Sequence, residues 1–159
     1  MIEAQLTNAE MMMGVRIGEA RQEKAILRKY KDKHGFEGAG WTEHIEGCFG
    51  EILISKHLGV YWGGNLDSFK DADILRRVQV KTRSKHKYDL VFRPDDNEDH
   101  VFVLVTGKCP NYRLHGFMRG FDCKREDWWK NPGDRPYAWF VPKEALQPIE
   151  DLYPRIDDL

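Results

Sequence analysis

The chain has 159 residues, of which 41% are hydrophobic and 32% charged, enough for one compact core beneath a well-solvated surface. Lys+Arg 25 against Asp+Glu 26 leaves a formal net charge of -1, which excludes global steering toward nucleic acid and confines any polyanion site to a local patch. No apolar run approaches the roughly 18 residues of a membrane span, the N-terminus lacks the apolar stretch of a signal peptide, and Cys48, Cys109 and Cys123 form no CxxC pair, so a reduced, cytoplasmic protein is expected.

The first predicted element is a helix. Thr7 and Glu10 have the spacing of a capping box. Met11, Val15 and Gly18, with Ile26 and Tyr30 further on, make an approximate apolar stripe, and Arg21, Lys24, Arg28 and Lys29 a polar one. The glycines between 35 and 40 should end it. A second helix is predicted over 42–59, with Thr42 as its cap. Residues 71–74 and 77–83 then read as two short strands around a tight turn. Strands are also predicted at 88–93 and 101–106, joined by the acidic loop 95–100, and at 112–119 and 137–141, with a tryptophan-rich piece at 124–130 between these two. No linker divides the chain. The order predicts a single α/β domain over 1–159, α+β-like in its element order, with a central mixed sheet flanked by helices and residues 1–40 as an N-terminal helical extension.

Side chains alternate along a strand, so Val78 and Val80 share one face of 78–83 while Gln79, Lys81 and Arg83 share the other. Asp71 and Asp73 likewise point to one face of the preceding segment. A hairpin would gather an acid, an amide oxygen and a lysine, a grouping that suits phosphodiester hydrolysis. Oxygen ligands hold a hard divalent cation, and a lysine offsets charge developing in the transition state. The plainer reading is the exposed face of an antiparallel sheet, where polar alternation is ordinary. On the helix 42–59, Gly47, Glu51, Ile54 and Leu58 fall on one stripe, beside Cys48, Ile52 and Ser55. A carboxylate there needs a partner or a metal. The plainer alternative for Glu51 is a surface ion pair with Lys56 or Arg77.

Taken together, Gly47-x-x-Gly50-Glu51 on a helix, Asp73-Ile74, and Gln79-Val80-Lys81 resemble the PD-(D/E)xK nuclease superfamily, with its restriction-endonuclease-like fold, and in particular its small phage-encoded members. The resemblance spans roughly residues 42–146. It implies a metal-dependent DNA nuclease in the cytoplasm of a bacterial or phage-infected cell, using Mg²⁺ or Mn²⁺. Asp73 would be the central metal ligand, with Asp71 as the alternative. Glu51 would complete the metal shell from the helix, and Lys81 would be the motif lysine. Gln79 stands where the family carries Glu or Asp. Glutamine still offers a carbonyl oxygen but no charge, which predicts weaker Mg²⁺ binding.

Arg76, Arg77, Arg83, Lys85 and Lys87 cluster around this strand and are the expected phosphate contacts to DNA. The plainer reading is a solvated hairpin with incidental bases. His86 could assist proton transfer, although a loop histidine is more often incidental. Trp128–Trp129 could stack on splayed bases, against the commoner outcome of one tryptophan buried on the sheet. Cys109, His115 and Cys123 lack zinc spacing. The second functional reading keeps the fold without catalysis, as a module binding nucleic acid or a host protein. Related folds act as dimers when both strands are cut, so a homodimer is compatible with either reading.

Overall fold

The computed structural model describes residues 1–28, 40–66 and 72–152. Its first helix, α1 (Asn8–Leu27), begins as the capping box requires. The Thr7 hydroxyl accepts the Glu10 amide at 3.2 Å, and Glu10 Oε2 accepts the Thr7 amide at 2.7 Å, satisfying two donors that a helix start leaves open. The second helix, α2 (Gly40–Leu58), starts two residues before Thr42, which is therefore an internal residue and not a cap. The two helices pack closely because α1 turns glycines toward α2. A Cβ on Gly18 would lie 2.6 Å from the Ile45 Cα. The apolar stripe of α1 is shorter than its spacing suggests: Met11 and Val15 pack on the core, but Ile26 is 55% exposed.

The strands are β1 (Ile2–Gln5), β2 (Val78–Arg83), β3 (Leu90–Phe92), β4 (Val101–Lys108), β5 (Asn111–Arg119), β6 (Trp129–Lys130), β7 (Ala138–Val141) and β8 (Gln147–Pro148). A five-stranded sheet runs β1-β5-β4-β2, with β8 also on β5. β2 and β4 are parallel, Val78 opposite Val101 and Lys81 opposite Leu104, while β1, β4 and β8 pair with β5 antiparallel. The expected α/β class, a mixed sheet flanked by helices, is the observed one. Residues 1–28 are more than a helical extension, because β1 completes the sheet and α1 packs along α2.

Two features depart from the expected strands. β3 does not join the main sheet but pairs antiparallel with β7 in a second sheet, β3-β7-β6. The predicted strand at 71–74 is reduced to a single antiparallel bridge, Ile74 to Val78, and Asp71 lies outside the described residues. The reason is the turn between them. Leu75 and Arg76 both adopt left-handed conformations, φ 52° and 58°, and the Arg77 amide closes on the Ile74 carbonyl at 3.1 Å. Such a turn reverses the chain within two residues, and neither residue is the glycine or asparagine that adopts it without strain.

Two cores follow from the alternation in β2 and β4. Val78, Val80, Val101, Val103 and Val105 pack with Phe49, Leu53 and Ile54 of α2 on one side of the main sheet. Phe102 and Leu104 point to the other side, where they meet Leu90, Phe92 and Val141 of the small sheet. The layers are thus helices, main sheet, small sheet. Gln79, Lys81 and Arg83 lie on the small-sheet side. Among the described residues, no helix is long and apolar enough to cross a membrane.

Candidate active site

Gly50 brings α2 onto β2: any Cβ there would collide with the Thr82 hydroxyl. The next residue, Glu51, is consequently sealed between helix and sheet, 4% exposed. A buried carboxylate must be paired, and its partner is Arg21 of α1. The guanidinium forms a bidentate pair with Glu51, 2.6 Å to Oε1 and 2.9 Å to Oε2. Trp62 Nε1 donates to Oε2 at 2.9 Å. Arg21 Nε also donates to the Asn65 carbonyl at 2.9 Å, which ties the segment after α2 over the pair. The expected surface partners are corrected here: Lys56 pairs with Glu10 at 2.9 Å, and Glu51 is not at the surface.

Asp73 sits just before the strained turn, beside β2. Its Oδ2 accepts the Val80 amide at 2.7 Å and Gln79 Nε2 at 2.9 Å. Val80 N–H thereby gains on the open edge of β2 the acceptor that a further strand would otherwise supply. Asp73 is closely surrounded by protein yet keeps partial solvent access. Burial pushes its carboxyl up to about 7, the negative charge of Glu51 adds to the rise, and the Val80 amide, Arg21 and Lys81 oppose it. Glu51, Arg21 and Lys81 thus all act electrostatically on Asp73. Gln79, through Asp73, belongs to the same group.

Lys81 lies on the small-sheet side. Its ammonium is held by both carboxylate oxygens of Asp96, at 2.8 and 2.9 Å, 5.3 Å from the centre of the Phe102 ring. Asp96 Oδ2 also accepts the Arg93 amide at 2.8 Å, so the acidic loop after β3 is folded back onto the strand that carries Lys81. Arg21 and Asp96 are the residues that sequence reasoning did not assign to the site. A buried Glu51 signals that some cation is needed, but not which one. For Asp96 the sequence carries no signal beyond its place in an acidic run.

The basic residues divide into two groups. Arg76 and Arg77 occupy the turn before β2 and are exposed. Arg83 closes β2 at its other end, roughly 20 Å from Arg77 at about 3.3 Å per residue. Its guanidinium lies over the Tyr88 ring at 4.5 Å and donates to the Asp89 carbonyl at 2.9 Å. Lys85 and Lys87 are exposed in the loop beyond it. His86, in the same loop, contacts the buried Thr106 hydroxyl at 2.8 Å through Nδ1, and His115 Nε2 contacts the same hydroxyl at 2.6 Å. Burial, then Lys143, His86, the N-terminal amine and Arg113, lower the His115 imidazole to about 4. His86 therefore has a structural hydrogen bond away from Asp73. Of the tryptophans, Trp128 is partly buried against the second core, and Trp129 remains exposed.

The oxygens of Asp73, Glu51 and Gln79 are the hard donors a divalent cation such as Mg²⁺ takes, and the Asp73 carboxyl is raised by burial first and by the charge of Glu51 second. In that respect the donor set fits. Glu51 would have to share its oxygens with Arg21. Among the described residues there is no group of three or more His, Cys, Asp or Glu arranged to hold a metal ion. No family model, curated protein or solved structure matches the chain.

Proposed function

We propose that the protein is a metal-dependent DNA nuclease of the PD-(D/E)xK type, with Asp73, Glu51, Gln79 and Lys81 at its centre. The observation that supports this most is the Asp73 carboxylate, held by the Val80 amide and the Gln79 side chain at the open edge of the strand that carries Lys81. Asp73, Glu51 and the Gln79 carbonyl would hold Mg²⁺ or Mn²⁺, which when bound supplies charge neutralisation and a more acidic water. The chain's own residues do the rest. The Val80 amide and the Gln79 side chain fix the Asp73 carboxylate. Lys81, aimed by Asp96, offsets negative charge that grows on the scissile phosphate. Arg76 and Arg77 before β2, Arg83 at its end, and Lys85 and Lys87 after it flank the edge where a phosphate backbone would lie.

Incubation of the full chain with supercoiled and linear DNA in Mg²⁺ or Mn²⁺ tests the reading. Cleavage should stop with EDTA and fall by about 10²–10³-fold in Lys81→Ala, with Asp73→Ala inactive while still folded. Cleavage that persists in EDTA, or in both variants, rules the mechanism out.

One observation favours the second reading, a nucleic-acid- or protein-binding module without turnover. Both oxygens of Glu51 are already engaged by Arg21 and Trp62. Calorimetric titration with Mn²⁺ separates the two readings. Heat that disappears in Asp73→Ala supports the nuclease, whereas DNA binding without metal uptake supports the module.

A further inference from the structure

A line of aromatic rings runs from the underside of Lys81 to the surface. Phe102, beneath the Lys81 ammonium, meets Phe92 edge to face at 4.9 Å. Phe92 meets Trp139 at 5.7 Å, Trp139 meets Trp129 at 4.3 Å, and Trp129 stacks on Tyr137 at 5.5 Å with only 20° between the rings. The register explains the order, since Phe92 and Trp129 both stand opposite Trp139 on neighbouring strands of the small sheet. Exposure rises along the line. Phe102 and Phe92 are buried, Trp129 is 39% exposed and Tyr137 is 50% exposed.

Apolar rings this exposed lose stabilisation that burial would provide, and here they are already stacked and held by a sheet. Cations gather at the same end of the small sheet. Arg93 follows directly after β3, and Arg135 precedes Tyr137 in the segment leading into β7. Both lie close enough to Arg83 to repel it. Burial first, and these two guanidiniums against the help of Tyr88 and Asp89, hold Arg83 below its ordinary value. Arginines on the segments that carry a flat aromatic surface match a ligand that alternates phosphate and base.

We infer that the Trp129–Tyr137 stack, with Arg83, Arg93 and Arg135, is a platform that binds single-stranded DNA. Bases extend the ring stack at Tyr137, and the arginines take the phosphates. In duplex DNA the bases are stacked on one another and cannot reach such a surface, whereas an unpaired strand presents them. An acidic peptide would match the arginines but would make no use of the stacked rings. The inference rests on the reading of the β2 edge as a DNA site and narrows it. The platform would hold an unpaired strand whose backbone continues toward Lys81, along the side of the sheet that carries both.

The test uses the full chain in EDTA, where no turnover occurs, with a short fluorescein-labelled oligothymidylate and a duplex of equal length. The single strand should bind more tightly than the duplex and quench tryptophan emission. Tyr137→Ala and Trp129→Ala should each weaken single-strand binding roughly tenfold, in line with the loss of one stacked base, while Tyr137→Phe keeps it. Arg135→Gln should lower the slope of log affinity against log salt by about 0.7. All of these positions are exposed, and circular dichroism confirms that the variants fold. Equal single-strand binding by wild type and Tyr137→Ala overturns the inference, as does displacement of the oligonucleotide by polyglutamate that is equally effective in both. The two readings fail separately. Cleavage of DNA in Mg²⁺ with unaltered binding by Tyr137→Ala removes the platform and leaves the nuclease. Tyr137-dependent binding in a chain that never cleaves removes the nuclease and leaves the platform.

Discussion

The two faces of β2 solve the problem of charge in opposite ways. On the helix face the charge is internal. Glu51 is closed off by Gly50, matched by the Arg21 fork and capped by Trp62. On the small-sheet face Lys81 and Arg83 remain partly exposed, Lys81 held by Asp96 and Arg83 by the Asp89 carbonyl and the Tyr88 ring. A buried pair is held by the cost of breaking it, since either member left alone is a desolvated charge. A half-exposed pair is held weakly and can exchange partners with water or with an incoming anion. The first arrangement makes a scaffold, the second a surface that binds. Asp73, at the edge between them, feels both.

The largest test of this contrast is Arg21→Ala. It leaves Glu51 buried and unpaired, and chemical denaturation should show a loss of about 3–5 kcal/mol. If Glu51 and Asp73 hold a cation, Mg²⁺ should recover part of that loss in the variant and little in wild type. A variant as stable as wild type would show that Glu51 is not a sealed charge. Next comes Gly50→Ala, which forces α2 away from Thr82. It should cost about 1–3 kcal/mol, and by moving Glu51 it should also weaken Mn²⁺ binding. A neutral outcome would mean that the helix is free to shift.

Lys81→Ala, on the other face, should cost only about 1 kcal/mol, because its pair with Asp96 is partly exposed. A loss as large as that of Arg21→Ala would erase the distinction between the faces. A further effect concerns pH. The His115 imidazole is lowered from 6.5 to about 4 in the folded chain, so between those values the unfolded chain binds more protons. The His115 contribution to stability is therefore complete above pH 6.5 and declines as pH falls toward 4. The part of that decline due to His115 should be missing in His115→Gln melting curves, and identical curves would reject it.

Local signals were legible where the determinant is local. The capping box at Thr7–Glu10 formed as its spacing requires. The alternation of 78–83 separated Val78 and Val80 from Gln79, Lys81 and Arg83 onto the sides observed. The strand expected at 71–74 failed because the turn at Leu75–Arg76 uses residues that do not advertise left-handed backbone. β3 was legible as a strand but not as a member of a second sheet, since three residues carry too little pattern to choose a partner.

The sequence by itself determined that a carboxylate, an amide and a lysine stand near one strand, and that a carboxylate on the apolar second helix needs a cation. Tertiary structure alone decided which cation. Arg21 lies 30 residues from Glu51, on another helix, and reaches it only because Gly18 lets that helix approach. It also decided that Asp96 holds Lys81 and that Phe92, Trp139, Trp129 and Tyr137 meet in one line of rings. The physical reason is common to all of these. Backbone preferences and periodicity act within a few residues. Desolvation constrains only the sum of charges at a place in space, and packing decides which distant residues meet there.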